Sequence, residues 1–250
     1  MPGPHLNPPC TSWKEDLPHP DTPATIEPSL GYLGANQQNL IYLEVPRTIG
    51  WAREIMPLFS LSSFAFTACL PTAIKFSFEY QDFEFAFISM LLLACGIWAS
   101  TFFLRVSISP PRDEPLRFNR ARKKIYAYNF KYCWWNPFTT WKVETVCYDW
   151  SQVRAERWSQ TVAISKWGVM LSIVAPGTNN VIDRFPLVTM GANQHVWAYI
   201  CTYMQQGPAA LPPPGEPKDH NDVLWCEFAL RLAPKVQWPT EMDLESRTAP

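Results

Sequence analysis

Charge is scarce in this chain. Asp, Glu, Lys and Arg make up 17% of its 250 residues, against about a quarter in an average soluble domain. The formal net charge is -1, so no global field draws the chain to nucleic acid or another polyanion. Glycine is scarce too, at 10 residues, and the sequence holds no Gly-rich phosphate loop and no G-x-S-x-G elbow. It has no H-E-x-x-H and no C-x-x-C. The seven cysteines, at 10, 69, 95, 133, 147, 201 and 226, are odd in number and scattered. Reduced, structural thiols are expected, not a disulfide framework or a metal cluster. His5, His19 and His220 fall in tails or linkers, and His195 opens a predicted helix, where a structural role is expected. Glu144 and Asp149 lie five apart on a predicted strand, so they point to opposite faces and cannot pair as acid and base. The sequence therefore predicts no enzyme, no cofactor and no metal site.

What is present is apolar, aromatic and Pro-rich. Aromatics reach 14%, with 12 Trp and 25 Pro. The mean hydropathy of -0.13 averages very apolar segments with polar tails. Residues 1–40 are expected to form a flexible, polyproline-prone tail, without the apolar core of a secretory signal. Between Glu54 and Lys75 runs IMPLFSLSSFAFTACLPTAI, and between Glu84 and Arg105 runs FAFISMLLLACGIWASTFFL. Each has the uncharged length that crosses ~30 Å of hydrocarbon. Spans are expected at about 55–74 and 85–104, within a membrane hairpin covering 41–109. Small residues in the first span, Ser62, Ser63, Ala65 and Ala68, would let the two helices pack closely.

Lys and Arg counts in short flanks set orientation. The connecting loop has Lys75 against Glu79, Asp82 and Glu84, whereas Arg47 and Arg53 precede the first span and Arg105 and Arg112 follow the second. Both termini are expected in the cytoplasm, with the small acidic loop outside.

From Pro110 the pattern changes. Leu116 to Phe130 reads as strand, polar turn, strand, and Trp141 to Trp150 as a further strand. Gly168–Ala175 and Val181–Val188 flank the turn Pro176–Asn180. After Asn193, a candidate cap, the period becomes helical, with Val196, Trp197, Ile200, Cys201 and Met204 on one face. The expectation is a membrane-anchored α+β protein. Its cytoplasmic part, residues 110–206, would be an antiparallel β-meander closed by one C-terminal helix. Residues 207–250 would form a Pro-rich linker, a short helix at Val223–Ala233 and a frayed polar tail.

The basic segment Arg117, Arg120, Arg122, Lys123 and Lys124 is the candidate contact for a partner or an anionic lipid. Trp134, Trp135, Phe138 and Trp141 flank a short loop, either as part of the core or as an interfacial belt.

Arg117-Phe118-Asn119-Arg120, Ile125-Tyr126, Asp149-Trp150 and Asp183-Arg184-Phe185 follow the hairpin in that order. In this order the chain resembles, over about residues 42–204, an uncharacterised family of proteobacterial membrane proteins often encoded beside type VI secretion effector genes. The β-rich part is also similar, more loosely, to bacterial membrane-anchored pleckstrin-homology-like domains. The first resemblance implies a non-catalytic interaction protein of the bacterial inner membrane, such as an immunity or accessory factor for a secreted effector. The second implies a module that senses anionic lipid or the envelope.

Overall fold

The computed structural model describes residues 3–47, 51–161, 165–189, 191–213 and 215–250, with Trp51 and Ala52 by backbone alone. Pro2 of the expected tail and Pro214 of the expected linker lie outside the described residues. The strands are β1 (Trp13–Asp16), β2 (Gln37–Gln38), β3 (Tyr42–Val45), β4 (Leu116–Asn119), β5 (Lys124–Lys131), β6 (Lys142–Asp149), β7 (Val153–Thr161), β8 (Ser165–Val174) and β9 (Val181–Pro186). The helices are α1 (Trp51–Glu79), α2 (Phe83–Ile108), α3 (Gln194–Gln206), α4 (Phe228–Leu232) and α5 (Thr240–Arg247).

The strands form two antiparallel sheets, not one meander. One has the order β2-β3-β4-β5-β6 and the other β1-β7-β8-β9. A short 3-10 turn, Trp150–Gln152, carries the chain from the first sheet to the second. One apolar cluster takes Leu43, Val45, Leu116, Phe118 and Ile125 from the first sheet. The second sheet adds Val153, Val169, Leu171 and Ile173, and α3 adds Trp197, Ile200 and Met204. Period two explains β3 and β4: Leu43 pairs with Phe118 and Val45 with Leu116, so one face is apolar. The opposite face holds Glu44 and Arg117, also paired across the strands.

The helix α3 forms where its sequence predicts. Asn193 caps it, its side chain accepting from the backbone N–H groups of His195 and Val196. The chain turns away at Gly207, with φ +88, where an added Cβ would sit 3.2 Å from the Arg120 guanidinium carbon. Trp197 and Ile200 are buried, and the Trp197 ring lies 5.6 Å from that of Trp150. His195 Nδ1 lies 2.8 Å from the Glu27 carbonyl.

Residues Val196 to Met204 are buried on every side, not along one stripe. The segment read as a flexible tail covers the second face. The Trp197 indole N–H donates to the Pro18 carbonyl at 2.9 Å, and Gln205 donates to Pro20 and Thr22. Ahead of these contacts β1 pairs with β7. The carboxylate of Glu156, fully buried on β7, accepts from the Cys10 backbone at 2.9 Å, from Ser172 and from Arg184. Burial, then the Glu156 charge, pushes the Cys10 thiol up to about 12. The expected boundaries shift accordingly. β3 belongs to the sheet and not to the hairpin segment 41–109, and the polar tail forms α5 on the outer face of β4. The predicted helix 223–233 shortens to Phe228–Leu232, ending before Pro234.

The helices α1 and α2 pair as an antiparallel hairpin turned by residues 80–82, with the Asp82 side chain capping α2. Both are long and apolar enough to cross a membrane, and only 17% of the most apolar stretch of each is buried. Pro57 and Pro71 lie inside α1. Of the small residues expected at the contact, Ser63 bonds the Gly96 carbonyl at 3.3 Å, while Ser62, Ala65 and Ala68 face outward. The close approach centres on Gly96, where a Cβ would stand 2.1 Å from Thr67 Oγ1.

Two outcomes are expected from this packing. Trp197→Ala should cost about 3–5 kcal/mol, read as a lower midpoint when the detergent-solubilised chain is unfolded by urea. A fragment of residues 110–206 lacks β1, β2 and β3, and should show no cooperative unfolding transition. A cooperative fragment would mean that the N-terminal segment is dispensable to the fold.

Candidate functional site

The outer face of β3 and β4 carries a cluster of buried charge. Arg117 is 1% exposed. Its Nε donates to Glu44 Oε2 at 2.5 Å, and one Nη donates to Asp243 of α5 at 2.6 Å and to Ser246 at 2.9 Å. The guanidinium also lies 4.6 Å from the centre of the Trp238 ring. Glu44 Oε1 faces His220 Nδ1 at 2.9 Å and Asn36 Nδ2 at 3.3 Å. Burial alone would raise the Glu44 carboxyl. The His220 hydrogen bond and the Arg117 charge outweigh it and hold the group at about 2, against an ordinary 4.5. Both faces of these strands are buried because the C-terminal segment folds back over them.

Beside this cluster opens a cleft of about 630 Å³. Tyr42, Glu44 and His220 line it with Trp238, Asp243 and Arg247. Glu44, Asp219 and Asp243 line it together with Lys218 and Arg247, so it suits a polar ligand bearing both charges, such as a peptide segment, better than an apolar one. Glu44 holds the His220 ring in place as a carboxylate orients an imidazole. Among the described residues, no group of three or more His, Cys, Asp and Glu side chains could hold a metal ion.

The structure divides the sequence-predicted basic segment between two internal tasks. Arg117 forms the buried network above. Arg122 donates to the Thr248 and Ala249 carbonyls at 3.0 and 2.8 Å, and Lys124 pairs with Glu245 at 2.7 Å. These three fasten α5 and the C-terminus. Lys123 Nζ donates to the Met204 carbonyl at 2.5 Å, and the Arg120 guanidinium packs on Gly207. Both cations thus sit at the C-terminal end of α3, where the helix dipole favours positive charge. Arg117 is thus withdrawn from the surface, whereas Arg120, Arg122, Lys123 and Lys124 make these contacts and stay partly or fully exposed. Glu44, His220 and Asp243 were not singled out from the sequence. Their only signal was charge inside otherwise β-patterned or polar segments.

A second polar site closes the hairpin. Arg53 is 7% exposed and donates to the carbonyls of Ser107, Pro110 and Pro111, at 2.6–3.2 Å for the Ser107 and Pro111 contacts. Glu54 accepts from the backbone N–H groups of Ala229 and Leu230, both at 3.1 Å. Arg47, also buried, donates to Asn129 at 2.8 Å and pairs with Glu114 at 3.2 Å. Burial raises the Glu114 carboxyl above its ordinary value, against the pull of Arg47.

These features define an α+β protein in which a long apolar helical hairpin is inserted between adjacent strands of one sheet. The chain belongs to the DUF6708 family, described as a family of unknown function, whose model matches residues 93–250. No curated protein and no solved structure matches the chain.

Removing one partner of a buried ion pair leaves the other charge unpaired, at a cost of about 3–5 kcal/mol. Arg117→Met should destabilise the chain by that order. A pH dependence follows from Glu44. Its carboxyl is lowered from 4.5 to about 2 in the folded chain, so its contribution is complete above the unfolded value and is lost as pH falls through that window. The thermal midpoint of the parent should therefore drop between pH 4.5 and 2, and Glu44→Gln should flatten that limb. An Arg117→Met chain melting at the parent temperature would show the network to be idle.

Proposed function

We propose that the chain is a non-catalytic, membrane-anchored interaction protein, with α1 and α2 crossing a bacterial inner membrane and the folded domain and both termini in the cytoplasm. The observation that carries this reading is the poor cover of two long apolar helices. A core helix of a soluble protein is mostly buried, whereas these bury 17% of their most apolar stretches. Exposed residues include Leu58, Leu61, Phe64, Phe66, Leu91 and Leu92, a surface that water disfavours by roughly 25 cal/mol per Å². Orientation is supported by Arg47, Arg53, Arg105 and Arg112 at the open end, against Glu79, Asp82 and Glu84 at the tip.

The cleft beside Glu44 is the surface we assign to the partner. Glu44, Asp243 and Arg247 are already held there by ion pairs, so little ordering of these groups remains to be done on binding. The resemblance to proteins encoded beside type VI effector genes makes an immunity or accessory role the first to test. The resemblance to pleckstrin-homology-like domains is kept as an analogy of fold, and a lipid-sensing role for the basic segment would rest on the partly exposed Arg120, Arg122, Lys123 and Lys124, since Arg117 is buried.

Reporter fusions provide the topology test. A fusion at Pro250 should report cytoplasm and an insertion at Gln81 the outside; a cytoplasmic signal at Gln81 overturns the hairpin reading. Leu92→Arg puts a charge near the middle of α2, at a cost of roughly 2.5–3.5 kcal/mol, and should sharply lower the yield resistant to carbonate extraction. Co-expression with a neighbouring effector tests the immunity role, which unchanged killing would refute.

A further inference from the structure

Two segments far apart in sequence meet the base of the hairpin, and both expose large apolar side chains there. The first is the loop between β5 and β6. Trp134, Trp135 and Phe138 are each more than 60% exposed, while Trp141 is buried. The second runs into α4, where Trp225, Phe228 and Leu232 are more than half exposed. Each is tied to the hairpin by polar bonds. Trp98 of α2 donates its indole N–H to the Trp135 carbonyl at 3.2 Å. Arg105 donates to the Pro137 and Thr139 carbonyls and lies 4.4 Å from the centre of the Trp141 ring. Glu54 holds the N-terminal N–H groups of α4.

We infer that these two segments form a collar that enters the lipid interface around the hairpin, on the side where α1 begins and α2 ends. The inference rests on the membrane reading above and adds a contact surface to it. Depth is the first argument. Arg105 closes the charge-free stretch of α2, and Trp98 lies seven residues further in, about 10 Å along the axis at 1.5 Å per residue. A loop bonded to both residues reaches past the boundary into the outer part of a layer ~30 Å thick. Backbone satisfaction is the second argument. Unpaired backbone groups are costly in lipid, so a loop can enter only where its polar groups are already bonded. This loop meets that condition at five groups. The carbonyls of Trp135, Pro137 and Thr139 are taken by Trp98 and Arg105; the Asn136 carbonyl accepts from Thr139 Oγ1, and the Phe138 N–H donates to Asn136 Oδ1, each at 3.0 Å. Side-chain chemistry is the third. Trp134, Trp135 and Phe138 are exposed on a loop whose backbone groups are already bonded, and Trp is the residue most favoured at the interface. The exposed surface is also continuous with the exposed apolar surface of α2, which favours lipid as its occupant over a second protein.

Site-directed labelling of the full chain in proteoliposomes tests this. Trp134→Cys and Phe138→Cys are each labelled with an environment-sensitive fluorophore after Cys69, Cys95, Cys147 and Cys226 are replaced by Ala. The native Cys133 lies in the same loop and reports the same surface. Both labels should be quenched at least about twofold by acyl-chain nitroxide lipids and protected from aqueous iodide. If the chain resists carbonate extraction while iodide quenches and lipid does not, the loop lies in water: the collar is refuted and the anchor stands. If neither quencher acts, protein covers the loop, and the collar is again refuted. If carbonate strips the chain from the vesicles, the anchor reading itself fails and the collar falls with it.

Discussion

Arg53 holds the two ends of the hairpin together, and the rest of the fold depends on that closure. The pairing of β3 with β4 joins segments separated by both long helices, so the chain must leave the sheet and return to the next strand position. Arg53 makes this geometry self-consistent. The last carbonyls of a helix have no partner inside it, and a guanidinium beside them satisfies them while complementing the helix dipole. Arg53 takes Ser107 in the last turn of α2 and the Pro110 and Pro111 carbonyls just beyond it, where no further helical N–H can reach. Its burial is tolerable only because these acceptors meet its donors. One residue cluster further on, the Arg47 backbone N–H donates to Asp113 at 3.0 Å, bringing the strand ends into register.

The same device recurs at each place where a distant segment is fastened to the sheets. Glu156 binds the N-terminal segment through Cys10, and its ion partner Arg184 reaches Pro8. Arg117 binds α5, and Glu44 binds the His220 segment. A chain with few charges thus places several of them inside. Burial makes each worth having only when all its partners are present, because an orphaned buried charge costs more than an exposed pair gains. This is why the basic run after β4 differs from its appearance in sequence. A Lys/Arg cluster next to an apolar span has the composition of a lipid contact. Its acceptors are carbonyls at helix ends and carboxylates 73 to 127 residues away, which no local pattern reveals.

That distinction separates what was legible from what was not. The apolar helices declared themselves by uninterrupted length, β4, β5, β6, β8 and β9 by alternation and turn residues, and α3 by its Asn193 cap and helical period. In each, local sequence and final environment agree. The misses share the opposite property. β7, with Arg154, Glu156 and Arg157, alternates too weakly to stand out, since its buried carboxylate looks polar until Arg184 and Cys10 are placed beside it. α5, TEMDLESR, has no apolar stripe and is held by Asp243, Glu245 and Ser246. β1 and the Pro-rich stretch around it have the composition of a solvated tail, yet Pro18, Pro20 and Glu27 present the carbonyls that the Trp197, Gln205 and His195 side chains meet. Of the buried network beside the candidate cleft, only the position of Arg117 was visible, and with another role.

A sheet interrupted by a hairpin also constrains how the chain reaches its native state. β3 contributes Leu43 and Val45, both fully buried, to a core whose other strands come after α2. Until the hairpin closes, β4 lacks a neighbour on that side and the core lacks a wall. Bringing the two strands together through a disordered segment of this length would carry a loop-closure cost that grows with the logarithm of its length, and such non-local pairings are slow to form. A preformed antiparallel hairpin removes most of that cost, because its two ends are adjacent once its helices pack at Gly96 and Thr67. On the membrane reading, the bilayer enforces that packing before the domain assembles. The apolar helices then serve the sheet as well as the anchor: they convert its most distant strand pair into neighbours.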